Sequence, residues 1–537
     1  MKPLKPYIGT AVMLMIAASS CNNDLTEKIY SEVTEDTYNY SNAYQAMSVA
    51  YANMRSLISH THWYMAQEST ADGIVMPANA SGWDDGGIYK RMHLHTWNSE
   101  NPQINSMWNT FYSGVINANR LIDQLSNDKI TIPPGVTREA LISEMRTVRA
   151  FFYWLICDNF GDAPLVTSRS EELLEKTGRK ELYQFVVKEL TESIPNLSEE
   201  RNTLLYARFN KWAAKTLLAN VYLNAGIYSG ETKWPECLAL CNEVIASGKY
   251  QLETGLAAPF VTENQNSPEI VFAIPFEENL AGGFSAHMFS WHASLKNKVN
   301  MLATPWGAGS AKGVPQFINS YDADDQRLKA TWMIGPQFAA DGVTPLKGSY
   351  DQAGKNVVLT NELPDGLYTG EAEGYRMNKF EVKTQAQGSL GNDFPVFRYA
   401  QVLMMKAECL LRTGKADDAA AVVMQVRARA FAAKPAKATV TGADLQKGSS
   451  YQYGFVENYK VVDPGNTAAV QYGRMLDELG WEFAWEGFRR RDMVRFGVYT
   501  TKSWLSHKPN GAFRAVFPIP QIAINSNPKL KQNPDYN

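Results

Sequence analysis

The segment Asn79–Asn101, NASGWDDGGIYKRMHLHTWNSEN, is the densest mixture of ring faces and hydrogen-bonding side chains in the chain. Trp83, Tyr89 and Trp97 offer flat aromatic surfaces, while Asp84, Asp85, His93, His95, Asn98 and Asn101 offer donors and acceptors. A sugar suits such a surface, because its C–H faces stack on aromatic rings and each hydroxyl needs a partner. A second patch of this kind, Phe289–Gly309, carries Trp291, His292 and Trp306. Catalytic chemistry finds less support. His60/His62 and His93/His95 are His-x-His pairs with no third ligand at a diagnostic spacing, which reads as core or solvated histidines rather than a metal site. Tyr321–Arg327, YDADDQR, begins like a calcium loop but lacks the glycine that such a loop needs. No phosphate-binding loop, His-Glu-x-x-His or nucleophile-elbow serine occurs, and no cofactor motif. A glycoside hydrolase would need two carboxylates at a set separation, which 55 acidic residues neither exclude nor indicate.

Charge concentrates again near the C-terminus, in LDELGWEFAWEGFRRRDMVRFG, Leu476–Gly497. Read as one helix, it stacks Glu478, Glu482 and Glu486 along a face and brings Glu486 within reach of Arg489 or Arg490. Trp481, Trp485 and Phe488 form an aromatic stripe beside them. Carboxylates packed among aromatics demand guanidinium partners, so the segment reads as buried scaffold rather than as an active site.

The elements that position these residues are mostly helices. Apolar residues recur every three or four positions over Asn42–Ile58, Met107–Leu125 and Arg138–Cys157. Arg208–Gly226 followed by Trp234–Ser247, and Phe397–Gly414 followed by Lys415–Ala430, each read as an Ala-rich helix that ends at a glycine and folds back, a tetratricopeptide-like hairpin. Between Gly248 and Pro395 helical periodicity is lost, apart from a strand-like run at Glu269–Phe276. A long irregular stretch of this kind is usually functional surface packed on a scaffold. The fold class is therefore mainly α: a helical scaffold over about 35–247 and 395–537, with loop-rich regions at about 70–101 and 248–394 bearing the ligand site.

The length of 537 residues suffices for a large core, and the net charge of −3 argues against nucleic acid as a partner. MKPLKPYIGTAVMLMIAASSC reads as a signal peptide over 1–20: two lysines, a short apolar stretch, then small residues before Cys21, the expected lipidation site. The mature chain would be anchored by lipid rather than inserted. Cys157, Cys237, Cys241 and Cys409 are too few for a disulfide framework and read as small buried hydrophobes.

Three blocks also carry a resemblance. Glu478, Glu482, Glu486, Gly487, Arg489, Asp492 and Arg495 resemble the C-terminal signature of SusD/RagB-family lipoproteins of Bacteroidota-type bacteria, with Leu479 where that signature has arginine. Val148–Val166, with Arg149, Ala150, Tyr153, Gly161 and Pro164, is similar to a second family block, and Phe517–Tyr536 to the family's tail, with Ala523 and Asp535 as departures. The two hairpins match its tetratricopeptide-like units, and Asp72 falls where the family has a Thr-x-Asp element. The resemblance implies a single SusD-like domain over 21–537 that is not an enzyme. It implies an outer-membrane, cell-surface location, capture of oligosaccharide, and delivery to a SusC-like TonB-dependent transporter. By position it carries the ligand role onto Trp83, Trp97, Trp291 and Trp306. Some members capture peptides instead, which leaves a peptide-binding alternative open beside the less favoured hydrolase.

Overall fold

Side-chain caps and close approaches set where the helices start and how they meet. The computed structural model describes residues 42–169 and 172–536; the signal sequence and Cys21 lie outside the described residues. Helix α1 (Ala43–Ala52) starts at Asn42, whose side chain accepts the Gln45 N–H, and α2 (Trp63–Ser69) follows a short 3-10 turn. Helix α3 (Pro102–Ser126) opens on Asn101 with proline in its first turn; α4 (Arg138–Phe160) opens on Thr137 and stops at Gly161, whose φ is 70°. At Gly114 of α3 a Cβ atom would fall 2.2 Å from the Phe152 ring of α4, so only glycine lets these two helices pack as closely as they do.

After α5 (Arg179–Ser193) comes the first hairpin, α6 (Lys211–Leu223) and α7 (Trp234–Ala246). The second is α8 (Tyr399–Arg412) and α9 (Ala416–Ala430), turned at Gly414 with φ 81°. Helix α7 packs on α8, which stacks the hairpins, and Leu403, Met404, Ala407, Leu411, Ala419 and Val423 form a core between α8 and α9. Between the hairpins, β1 (Ile270–Ile274) pairs antiparallel with β2 (Phe394–Arg398), Ile274 opposite Phe394, with a register shift after Pro395. Both strands are buried throughout, so they read as continuous apolar runs instead of alternating ones. The other strands of the irregular region are mostly two residues long. The mainly α architecture with a loop-rich insert agrees with the sequence reading.

One expectation needs correcting. Leu476–Gly497 is not a single helix: α10 (Gly473–Phe483) and α11 (Arg489–Arg495) are separated by a break where Trp485 has φ 66° and Gly487 φ 77°. The break rotates Glu486 away from Arg489 and Arg490. It pairs instead with Arg398 at the end of β2, at 2.7 and 2.9 Å, and with Lys379. Arg398 also holds Glu269 at 2.7 Å and Glu482 at 2.8 Å, and Arg429 bridges the same two carboxylates at 2.6 Å each. Glu478 meets Arg327, Arg427 and Arg474. Arg489 grips Asp72 through two bonds, 2.7 and 2.9 Å, so the Thr-x-Asp aspartate is part of the scaffold. The YDADDQR aspartate Asp325 caps a short helix and pairs with Arg327. All these carboxylates and most of their partners are buried, and the guanidiniums around Glu482 hold its carboxyl far below the usual range despite burial.

Glu68 differs from its neighbours. Its Oε1 accepts the Gly487 N–H at 2.7 Å, steadying the break, and burial raises its carboxyl from 4.5 to about 7. The folded chain therefore keeps a proton that the unfolded chain has released. The stabilisation from this group is full below pH 4.5 and is lost as pH rises through about 7. The Glu68→Gln variant, which keeps an acceptor for Gly487, should gain roughly 2–3 kcal/mol over the parent at about pH 8 and nothing at about pH 4. Denaturant melts of both proteins at the two pH values check this; equal gains at both would contradict it.

Candidate functional site

The turn Ala80–Gly82 places Trp83. Asn79 organises it: its Oδ1 accepts the Ser81 N–H at 3.1 Å and the Ser81 hydroxyl at 2.7 Å, and its Nδ2 donates to Ser310 Oγ at 2.9 Å. Ala78–Asn79 pairs in parallel with Tyr368–Thr369, which fixes the start of the loop to the large insert. Trp83 leans on Tyr89, their ring centroids 5.6 Å apart, and Tyr89 donates its hydroxyl to the His60 carbonyl at 3.0 Å.

Trp306 comes from the insert. Its backbone N–H bonds to Met288 O at 2.7 Å, and its ring meets the His60 ring edge-on at 5.0 Å. Phe289 lies beneath both. Trp306 is 44% exposed, unusual for a tryptophan braced on one side only. Trp83, Trp306, His60, Ser81, Asp85 and Tyr350 open on one cavity of about 350 Å³. Burial holds the His60 imidazole below its ordinary range, against the pull of the Asp85 carboxylate, so at neutral pH it offers one donor and one acceptor. The arrangement presents two braced rings with hydroxyl, imidazole and one carboxylate group between them, a surface for stacking and hydroxyl recognition.

The structure brings together only part of the residue set expected from sequence. Trp83, Asp85 and Trp306 share the cavity, and Tyr89 stands behind Trp83. Asp84 pairs with Lys90 at 2.6 Å. The remaining four are corrections. Trp97 is 1% exposed and donates its indole N–H to Tyr536 Oη at 2.9 Å, which pins the C-terminal tail. Trp291 is buried and donates to the Met377 carbonyl at 2.8 Å. His95 donates to the Thr70 carbonyl at 2.8 Å and is packed among Trp97, Tyr499, Trp504 and His507. Asn101 caps α3 through the Gln103 N–H. These groups spend their ring faces or polar atoms on the protein itself.

Sequence reasoning missed His60, Ser81, Phe289 and Tyr350 as cavity residues. In the sequence His60 stands out only as half of a His-x-His pair that reads as core or solvated histidines; Tyr350, 45% exposed at φ 40°, follows Gly348 and Ser349, which carry no signal. His507, far along the chain, does join His93 and His95, yet burial alone pushes His93 down to about 3, and no cluster of three potential metal ligands occurs among the described residues. The four later cysteines are free and buried.

Known proteins echo this fold. The starch-binding protein SusD of Bacteroides thetaiotaomicron is 27% identical over 73% of this chain and 72% of its own length. SusD-like protein P25 of Formosa agariphila is 24% identical over 80% and 78%. Among solved structures, B. fragilis NanU superposes with a TM-score of 0.71 at 18% identity, covering 96% of this chain and all of that one. A laminarin-binding SusD-like protein gives 0.68 at 20% identity over 93% of this chain and all of that one. Residues 24–223 match a family model described as starch-binding and associating with the outer membrane. With residues 268–536 matching the model of the SusD family itself, across the second hairpin, the charged break and the tail, the chain belongs to the SusD family.

Proposed function

We propose that this protein is a non-catalytic glycan receptor of the outer-membrane surface, held there by lipid on Cys21, which captures oligosaccharide and passes it to a SusC-like TonB-dependent transporter. One observation carries the reading: Trp83 and Trp306, contributed by segments far apart in sequence, present braced ring faces to one cavity rimmed by hydroxyl and imidazole groups. The names of its relatives, starch-binding and laminarin-binding, support carbohydrate as the ligand class. Stacked tetratricopeptide-like hairpins offer a rigid helical face for the transporter, while the loop regions 70–101 and 248–394 carry the ligand contacts. Single-chain affinity is expected in roughly the micromolar to millimolar range, because exposed hydroxyl contacts gain little net energy over water.

Affinity electrophoresis against a panel of polysaccharides, with sugar release assayed in parallel, tests this. Retardation without release supports the reading; turnover abolished by a carboxylate variant would replace it with a hydrolase. Co-purification of a barrel transporter from native membranes tests the partner.

Gly307 gives a finer check. Its φ is 57°, and a Cβ there would come 2.5 Å from Ser81 Oγ, at the seam of the two ligand loops. Gly307→Ala should cost about 1 kcal/mol of stability and weaken glycan retention several-fold by forcing the loops apart. Unchanged retention would argue that ligand does not use this seam.

A further inference from the structure

The charge of the cavity narrows the ligand class further, given the glycan-receptor reading above. Asp85 has φ 48° and is followed by Gly86 at 61° and Gly87 at 72°, three successive residues in the left-handed region. Glycine fills that region at no steric cost, and aspartate and asparagine enter it more readily than other L residues. The side chain at the first position is a carboxylate, and it lines the cavity. It makes no ion pair and no side-chain hydrogen bond among the described residues.

Among the lining residues no cation compensates it. The other polar lining side chains, His60, Ser81, Ser310 and Tyr350, are uncharged at neutral pH, and no lysine or arginine lines the cavity. The loop's two cations stand outside that lining: Lys90 pairs with Asp84 at 2.6 Å, and Arg91 donates to the Gly86 carbonyl at 3.0 Å. An acidic sugar entering here would meet like charge without a guanidinium to receive it. A neutral sugar would meet an acceptor with two free oxygens, suited to two neighbouring hydroxyls, and hydrogen bonds to an ionised acceptor are about twice as strong as neutral ones.

We propose that this cavity takes uncharged glycans and that Asp85 makes the selection, accepting a pair of sugar hydroxyls while repelling carboxylated or sulfated chains.

The test is affinity electrophoresis of the purified protein and of Asp85→Asn in gels containing starch, laminarin, polygalacturonate, alginate or chitosan, at low and high ionic strength. The parent protein should be retarded by at least one of the two neutral polymers and by neither polyuronate at low salt. Asp85→Asn, which suits the same left-handed backbone position and should fold normally, should lose about tenfold in neutral-polymer affinity. Its discrimination against polyuronates should shrink, and high salt should shrink that of the parent in the same direction. Retention of the parent on polygalacturonate or alginate equal to that on a neutral polymer would overturn the assignment. So would an unchanged neutral-to-acidic ratio in Asp85→Asn, or a preference for chitosan, which would make Asp85 a partner for an ammonium group. If no polymer retards the parent, the glycan-receptor reading fails first; if an acidic one does, only the charge selection fails.

Discussion

Arg398→Ala is expected to be the most damaging single substitution in the scaffold. The guanidinium contacts Glu269, Glu482 and Glu486 together, with the four groups essentially free of solvent. Removing it leaves three buried carboxylates to share Lys379, Arg429 and, 3.6 Å from Glu482, Arg327. Losing one partner of a buried pair costs about 3–5 kcal/mol, because the remaining charge stays desolvated. A unit of this size loses only about 1 °C of Tm per kcal/mol, since unfolding entropy grows with chain length at roughly 2 cal/mol/K per residue. The expected result is therefore a fall of about 3–5 °C together with weak expression. Arg398→Lys, which keeps the charge but not the fork, should fall between the two. Scanning calorimetry checks both. The folded fraction of either variant should bind glycan as the parent does, because neither ring face nor any cavity residue touches this cluster. A variant that melts normally but loses binding would mean that the charged interior reports to the ligand loops.

Trp306→Ala should do the reverse. Its ring is half-exposed and braced only by His60 and Phe289, so truncation should shift the melting temperature by less than a degree or two. Stacking faces of this kind act as binding hot spots, and their loss costs about 2 kcal/mol, near thirtyfold in affinity. Trp83→Ala should act similarly, with some added loss of stability because Tyr89 loses its neighbour. The double variant should show no measurable retention in a gel that retards the parent. Retention preserved in both single variants would move the ligand to another part of the surface. Trp291→Ala serves as the contrast: it should unfold or destabilise the chain through the lost bond to Met377 rather than select against ligand.

The helical scaffold was legible because helix periodicity and capping are local. Arg138–Phe160 and both hairpins appear within a few residues of where spacing puts them, and the buried strand announces itself as an apolar run bounded by turns. Pairing was not legible. Nothing in Glu486 says that its partner is Arg398 instead of Arg489, since the break that turns it depends on Trp485 and Gly487 adopting left-handed backbone. A Cβ at Gly487 would meet Trp63 at 2.9 Å, a contact from the other end of the chain. The same limit applies to the ligand loops. Trp83, Trp97, Trp291 and Trp306 are alike in composition and setting along the sequence. Two are consumed by the interior because Tyr536 and the Met377 carbonyl happen to receive their indole N–H groups. Residue type marks an aromatic as useful; only the fold decides whether its face is covered.

The bond between Asp72 and Arg489 spans 417 positions, and the Tyr64 hydroxyl reaches the Trp485 carbonyl across 421. Closures this long form late, because a large loop must be ordered before the contact repays it. During synthesis the leading part of the chain therefore carries Glu68 and Asp72 without Gly487 and Arg489, and Arg398 with Glu269 but without Glu482 and Glu486, until the last stretch has emerged. The buried charge network is therefore closed only when the last stretch is present, which makes the C-terminal break a late-placed keystone of the interior. Nonsense-truncated versions ending before Leu476 should accumulate as protease-sensitive material and never mature at the surface.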